Sequence, residues 1–124
     1  MKRLFFFLFS LLLATVASAQ TGKKLSVKPD PAKPLLSVEA SCGKCKFGLP
    51  GKNCELAVRT GMDAYYVQGA SIDDFGDAHD KDGFCNAIRK AEVQGEVVND
   101  QFRVTYFKLL PASKKEPEKN NTGN

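Results

Sequence analysis

The sequence contains a single histidine, His79, and this scarcity restricts the chemistry that can be expected of it. A Ser-His-Asp or Cys-His catalytic site needs an imidazole held in a defined geometry, and one histidine gives little basis for either. Covalent haem attachment is excluded as well. It requires histidine directly after the second cysteine of a C-x2-C pair, and Lys46 occupies that position. These absences favour a protein that is not an enzyme.

The sequence also lacks an apolar run long enough to span a bilayer, which takes roughly 20 residues. Its longest run, residues 4–16, has 13 residues and follows the basic pair Lys2-Arg3. The small residues Ala17-Ser18-Ala19 come next, as signal peptidase requires. Gln20 follows them, whereas a lipoprotein would have cysteine there. The pattern predicts a cleaved signal peptide over residues 1–19, export to the periplasm or medium, and no membrane span after cleavage.

Cleavage would leave 105 residues, enough for one domain and too few for two. Residues 20–34 are rich in lysine and proline, and residues 112–124 have no large apolar side chain. Neither segment can bury much surface, so we predict a flexible N-terminal segment over 20–34 and a disordered tail over 112–124. The globular domain is then predicted to span residues 35–111.

This predicted domain has no excess of basic charge, because nine Lys or Arg face eleven Asp or Glu, for a net charge of −2. Five aspartates lie close together in one stretch of the chain: Asp73, Asp74, Asp77, Asp80 and Asp82. A nucleic-acid-binding domain needs a basic stripe on its folded body. The composition therefore argues against nucleic acid as a partner and identifies no other partner.

Five segments have the alternation of apolar and polar residues that is typical of β-strands. They are residues 36–40, 55–59, 64–67, 91–97 and 102–109. A helix is predicted between the third and fourth strands, over residues 84–91, because Phe84, Ala87, Ile88 and Ala91 share one face at helical spacing. Asp80 or Asp82 is placed to cap the N-terminus of that helix.

The order of strand, strand, strand, helix, strand, strand matches a small five-stranded Greek-key barrel of the oligonucleotide/oligosaccharide-binding (OB) type. The sequence therefore predicts a mainly β, OB-like barrel with one short helix between strands 3 and 4. An open antiparallel sheet with one helix is the alternative, because element order alone does not close a barrel.

Four cysteines lie in the predicted domain: Cys42, Cys45, Cys54 and Cys85. An exported protein meets an oxidising compartment, where an even number of cysteines most often forms disulfides. Four cysteines allow three pairings, and the sequence does not choose among them. Two disulfides that reinforce a small core are therefore one interpretation of these residues.

A metal site is the other interpretation, because a C-x2-C pair presents two thiolates to one ion. Cys42 and Cys45 form such a pair, and Cys54, His79 and Cys85 could complete a tetrahedral set. Thiolates with an imidazole suit zinc or copper(I) rather than a hard ion such as magnesium. Zinc or copper is accordingly the candidate cofactor, and neither is certain.

A thiol-disulfide redox protein that uses Cys42 and Cys45 is a third interpretation. Such a pair needs one thiol with a lowered pKa, usually at a helix N-terminus. Two glycines and Pro50 follow the pair within six residues and make a poor first helical turn, although Lys44 and Lys46 could stabilise a thiolate. This interpretation is therefore the alternative to a non-enzymatic domain with a Cys/His cluster.

Four strings in the sequence resemble a family of short exported bacterial proteins of unknown function. They are SCGKC at residues 41–45, CELAV at 54–58, GDAH at 76–79 and GFCNAIRKA at 83–91. The resemblance covers nearly all of the predicted domain. It implies a bacterial source and a periplasmic or envelope location, and it implies no activity.

Overall fold

The computed structural model describes residues 24–112, which form five β-strands and one short α-helix. The predicted signal peptide lies outside these residues, as do residues 20–23 and 113–124. In chain order the elements are β1 (Leu36–Cys42), α1 (Gly43–Phe47), β2 (Leu56–Thr60), β3 (Asp63–Gln68), β4 (Arg89–Val98) and β5 (Gln101–Leu109).

The five strands form a closed barrel in the order β1-β2-β3-β5-β4. Closure depends on β1, which pairs antiparallel with β2 on one side and with β4 on the other. The β3 and β5 strands pair in parallel, and the remaining neighbours are antiparallel. The prediction of a mainly β five-stranded barrel is confirmed. The alternative of an open sheet is wrong, since β1 leaves no free edge between β2 and β4.

The helix, however, lies between β1 and β2 and not between β3 and β4 as predicted. Residues 84–86 form only a turn, in which the Ala87 N–H donates to the Gly83 carbonyl at 2.9 Å. From Arg89 onward the chain is extended, because Arg89 and Lys90 pair with Ala40 and Glu39 of β1. The strand pairing that closes the barrel therefore overrides the helical spacing of this segment.

Asp80 and Asp82 consequently cap no helix in the part of the chain that the structure describes. Their main-chain carbonyls are used instead. The Asp80 carbonyl accepts hydrogen bonds from the Gly83 N–H and the Asn86 side chain, and the Asp82 carbonyl accepts one from Arg89. These contacts fold residues 80–89 into a compact turn that leads into β4.

One hydrophobic cluster fills the barrel, and the strands contribute alternate side chains to it. Its strand residues include Val38, Ala40, Leu56, Val58, Ala91, Val93, Phe102 and Val104. The connection between β3 and β4 adds Phe75 and Phe84. The Phe75 ring stacks on Phe107 with centroids 4.2 Å apart and meets Phe84 edge to face at 6.2 Å. These aromatic contacts hold the connection against the core.

Residues 24–34, which we predicted to be flexible, make defined contacts with the barrel. Ser26 bridges to Tyr106 in parallel fashion, and its N–H donates to the Thr105 carbonyl at 2.8 Å. Farther along, the fully buried Gln94 side chain accepts a hydrogen bond from the Asp30 N–H at 2.7 Å and donates to the carbonyls of Asp30 and Lys33. The hydrogen-bonding groups of the buried Gln94 amide are therefore all paired with main-chain atoms of this segment, and these bonds hold the segment against the barrel. Within residues 24–112, no helix is long and apolar enough to cross a membrane.

Candidate metal centre

The end of β1 places Cys42 beside the start of β2. In the antiparallel register Cys42 lies opposite Leu56, so Cys54 lies only two residues before the paired position. Two main-chain hydrogen bonds fix this corner: the Gly43 N–H donates to the Glu55 carbonyl at 2.9 Å, and the Cys42 N–H donates to the Phe84 carbonyl at 3.0 Å. Strand pairing therefore explains how Cys54, nine residues beyond the C-x2-C pair, comes to lie beside it.

Helix α1 brings the second member of the pair into place. Cys42 is its N-cap residue, and Cys45 lies three residues further on, about one helical turn. Gly48 ends the helix in the left-handed conformation, with φ 68°, and the Leu49 N–H donates to the Gly43 carbonyl at 3.0 Å. Because glycine adopts positive φ without a steric penalty, Gly48 allows this short helix to stop and the chain to turn back toward Cys54.

Three sulfur atoms converge as a result. The Sγ atoms of Cys42, Cys45 and Cys54 all lie within 4.8 Å of one another, and those of Cys45 and Cys54 are 3.8 Å apart. Cys42 is buried, whereas Cys45 and Cys54 are exposed. The cluster thus has one sulfur at the barrel wall and two that face solvent. All four cysteines of the described chain are free thiols.

The environment of Cys42 differs from that of the other two thiols. Burial raises the pKa of Cys42, but hydrogen bonds from the Cys45 and Lys44 N–H groups and from the neighbouring thiols outweigh burial, so the pKa is lowered overall. Hydrogen bonding to the Cys42 sulfur raises the pKa of Cys45 to about 11 and also raises the pKa of Cys54. These hydrogen bonds therefore favour the thiolate form of the buried Cys42.

Tight packing under α1 holds the cluster in place. Gly43 leaves room for the Tyr66 ring of β3, since a Cβ at Gly43 would lie 2.6 Å from Tyr66 Cε1 and 2.9 Å from Ala57 Cβ. At the other end of the helix, the Arg59 guanidinium stacks over the Phe47 ring at 4.7 Å and donates to Glu39 at 2.7 Å. These contacts fix α1 against β2 and β3.

Tyr66 was not among the predicted ligands, although its ring and hydroxyl lie against Gly43 and Gly51 in this corner of the barrel. The Tyr66 Oη atom is buried and has no hydrogen-bond partner among the described residues. Burial raises its pKa, and the negative charges of Glu55 and of the cluster, Cys42 foremost, raise it further. Its position follows from the β2–β3 register of the structure, in which Tyr66 lies opposite Ala57, one residue from Leu56.

The two remaining predicted ligands lie outside this trio. Cys85 is half buried; burial raises its pKa, and interaction with the Cys54 side chain lowers it, so the two side chains are neighbours. His79 has an 80 % exposed side chain whose Nδ1 lies 3.6 Å from an Asp77 carboxylate oxygen. Neither belongs to the group whose ligand atoms all lie within 4.8 Å of one another. Their roles as ligands stay predictions.

The family profile of DUF6370, a family of unknown function, matches residues 36–110. The chain belongs to DUF6370. This matched range runs from the first residue of β1 to just beyond β5, so it includes the whole DUF6370 barrel and all four cysteines. No curated protein and no solved structure matches the chain. Membership of a family of unknown function is thereby confirmed, while the bacterial source and the export of this DUF6370 protein stay predictions.

One argument used against the redox interpretation is wrong. We predicted that residues 46–51 of this DUF6370 domain make a poor first helical turn, yet α1 begins before them, at Gly43 inside the C-x2-C pair. Gly48, Pro50 and Gly51 do not prevent it, because all three lie beyond Phe47, the last helical residue. The helix is five residues long and ends where these residues begin.

Proposed function

We propose that the domain is a non-enzymatic module that binds one soft metal ion, zinc(II) or copper(I), through Cys42, Cys45 and Cys54. The observation that carries this proposal is the convergence of three sulfur atoms to within 4.8 Å of one another. Thiolates are the ligands that both ions prefer, and metal–sulfur bonds of about 2.3 Å around one centre require sulfurs at such separations.

Charge supports the same proposal. Residues 42–55, which we call the cysteine segment, contain Lys44, Lys46 and Lys52 and a single acid, Glu55. Three thiolates around one mono- or divalent ion leave a net negative charge, which nearby ammonium groups offset. The segment thus supplies both the soft ligands and the charge balance of a thiolate-bound ion.

Zinc and copper(I) differ in whether they would need Cys85 as a fourth ligand. Structural zinc is almost always bound by four ligands, so a zinc site would take a fourth ligand, for which Cys85 is the nearest candidate thiol through its contact with Cys54. Copper(I) is satisfied by three thiolates in a plane. Replacing Cys85 therefore separates the two forms of the proposal.

The test is metal analysis of the reduced protein after gel filtration, loaded anaerobically with zinc or with copper(I). About one ion per chain is expected, and none in Cys42→Ser or Cys54→Ser. His79→Ala is the matched control and should retain the ion. Loss of zinc alone in Cys85→Ser would identify a four-thiolate zinc site. A wild-type chain that emerges without either ion would overturn the proposal.

A thiol-disulfide redox protein that uses Cys42 and Cys45 is the second candidate, favoured by the position of Cys42 as N-cap of α1. Accessibility argues against it. In such proteins the thiol with the lowered pKa is partly exposed so that it can attack a substrate. Here that thiol, Cys42, is fully buried and cannot reach the disulfide of a substrate. Catalytic reduction of a model disulfide by the wild-type chain would favour this candidate.

Export belongs to the same proposal and rests on residues 1–19 alone. It supplies the setting in which the cysteines must be either metal-bound or oxidised. In a bacterial host, the protein recovered from the periplasm or medium should begin at Gln20, as read by intact mass. Recovery of the chain from the cytoplasm with Met1 still attached would contradict export.

A further inference from the structure

The two exposed sulfurs of the cluster are already close to bonding distance. Cys45 Sγ and Cys54 Sγ lie 3.8 Å apart, against about 2.05 Å in a disulfide. The chain between them contains the last turn of α1 and then residues 48–55, which form no helix or strand. A shift of this irregular stretch can therefore bring the two sulfurs together without breaking a strand pair.

The third sulfur is shielded from the same chemistry. Cys42 has no exposed surface, and its residue is the last of β1, where its N–H is bound to the Phe84 carbonyl. A disulfide reagent arriving from solvent reaches Cys45 and Cys54 but not Cys42. Access thus limits the first attack of a solvent disulfide to Cys45 and Cys54, and the 3.8 Å between these two sulfurs favours their pairing.

We propose that Cys45 and Cys54 form a disulfide and that this bond closes the metal site, so that only the reduced cluster binds metal. This inference rests on the proposed function for its second half. The oxidant is an accessible organic disulfide, either a small one or that of another protein. Oxidation leaves Cys42 as the only free thiolate of the trio, and one thiolate does not hold the ion.

The exchange proceeds in two displacements. One exposed thiolate, of Cys45 or Cys54, attacks a sulfur of the donor disulfide; a mixed disulfide forms and one donor thiolate leaves. The other exposed cysteine, as thiolate, then attacks the protein sulfur of that mixed disulfide and releases the second donor thiolate. In total two cysteine thiols lose two electrons and two protons, and the donor disulfide becomes two thiols.

The sequence allows the pairing to be read directly, because trypsin separates all four cysteines. Cleavage after Lys44 and Lys46 isolates Cys45, and cleavage after Lys52 and Arg59 isolates Cys54. Cys42 stays in the peptide that ends at Lys44, and Cys85 in the one that ends at Arg89. Each pairing therefore gives a cross-linked peptide of different mass.

The experiment treats the metal-free chain with glutathione disulfide, blocks the remaining thiols with N-ethylmaleimide in denaturant, and analyses the tryptic peptides by mass spectrometry. The expected major product links Cys45 to Cys54, with Cys42 and Cys85 carrying maleimide. The Cys85→Ser variant should give the same link. In Cys54→Ser, Cys45 should instead carry glutathione. A major product that links Cys42 to another cysteine would overturn the pairing.

Metal loading of the same oxidised sample tests the second half. The oxidised chain should retain less than about a tenth of the zinc or copper(I) that the reduced chain holds, and a thiol reductant should restore binding. Full retention by the oxidised chain would overturn the switch while leaving the proposed function intact. If the reduced chain itself binds no metal, the proposed function fails, and the peptide map still decides the pairing.

Discussion

The cysteine segment and the β3–β4 connection, residues 69–88, were both expected to supply ligands to one cluster, but they differ in how the barrel holds them. The cysteine segment joins two adjacent, paired strands, and this pairing brings three sulfur atoms together. The connection carries His79 and Cys85 around the end of the barrel, and its histidine side chain is largely exposed. Adjacent strands return the chain to its starting point, whereas a long connection has no such constraint.

Charge separates the two segments further. The cysteine segment has three lysines against one glutamate, while residues 69–88 have five aspartates against one lysine. Basic charge stabilises thiolates, and acidic charge opposes them. The comparison teaches that ligand types in the sequence are less informative than the strand register and the local charge around them.

The largest effect is expected from removing a sulfur of the cysteine segment. Cys54→Ser should weaken zinc or copper(I) binding by more than about 100-fold, because even the loss of outer-shell partners costs about 10- to 100-fold. His79→Ala, in the β3–β4 connection, should bind as the wild type does. Chelator competition measures both affinities. Equal weakening in the two variants would remove the distinction between the segments.

A smaller effect is expected from crowding the base of α1. Gly43→Ala places a methyl group against Tyr66 Cε1 and Ala57 Cβ, and overpacking of this kind costs about 1–3 kcal/mol of unfolding free energy. The matched control is Lys44→Ala, next along the helix, whose ammonium makes one hydrogen bond within residues 24–112, to the Lys52 carbonyl at 3.3 Å. Urea unfolding should separate the two variants. Wild-type stability in Gly43→Ala would contradict the packing described for Tyr66.

A substitution at Ser41 breaks a contact between the residue before the cysteine segment and the β3–β4 connection but removes no sulfur ligand. Its buried hydroxyl lies 2.7 Å from the Phe84 carbonyl, which also accepts a hydrogen bond from the Cys42 N–H, and 2.8 Å from the Ala87 carbonyl. Ser41→Ala should lower the unfolding free energy by about 1–2 kcal/mol, since it removes the hydroxyl that joins β1 to these two carbonyls. Copper(I) affinity should stay within about threefold of wild type if three thiolates suffice. A larger loss would mean that the β3–β4 connection takes part in the site.

The smallest effect concerns Glu39, on the strand that leads into the cysteine segment. A hydrogen bond from Arg59 lowers its pKa, so its stabilising contribution is present above the unfolded pKa of about 4.5 and is lost as pH falls through the folded value. In Glu39→Gln, the unfolding free energy should therefore fall less between neutral and acid pH than it does in the wild type, by under about 1 kcal/mol. Metal binding at neutral pH should be unchanged. Urea unfolding of both proteins at several pH values between pH 3 and pH 7 measures this difference in unfolding free energy. An identical acid limb in both proteins would rule out this contribution.

Much of the barrel could be predicted because its strands alternate and its turns carry strong local signals. Residues 91–97 and 102–109 were recognised as a hairpin, and the turn residues Asn99 and Asp100 do adopt positive φ. Residues 84–91 were misassigned because their helical spacing is local, while the pairing of Arg89 and Lys90 with β1 depends on a strand fifty residues away. Helix α1 was missed because it is only five residues long.

The site residues, like the strands, could be predicted where the signal was local and could not where it depended on distant strand pairing. Cys42 and Cys45 were recognisable from spacing alone, and Cys54 joins them through the β1–β2 register. The sequence could not rank Cys54 above His79 and Cys85, because ranking requires knowing which chain segments return to the same corner. Tyr66 could not be found for the same reason. Its relation to Gly43 exists only once β3 lies beside β2.

The central claim is that sulfur atoms of the cysteine segment form the inner shell of a metal ion, and X-ray absorption at the metal edge measures that shell directly. For the reduced chain loaded with zinc or copper(I), we expect at least three sulfur neighbours, at about 2.3 Å for zinc. Cys54→Ser should lose one of them or the ion altogether. A shell dominated by nitrogen and oxygen in the wild-type chain would contradict the claim.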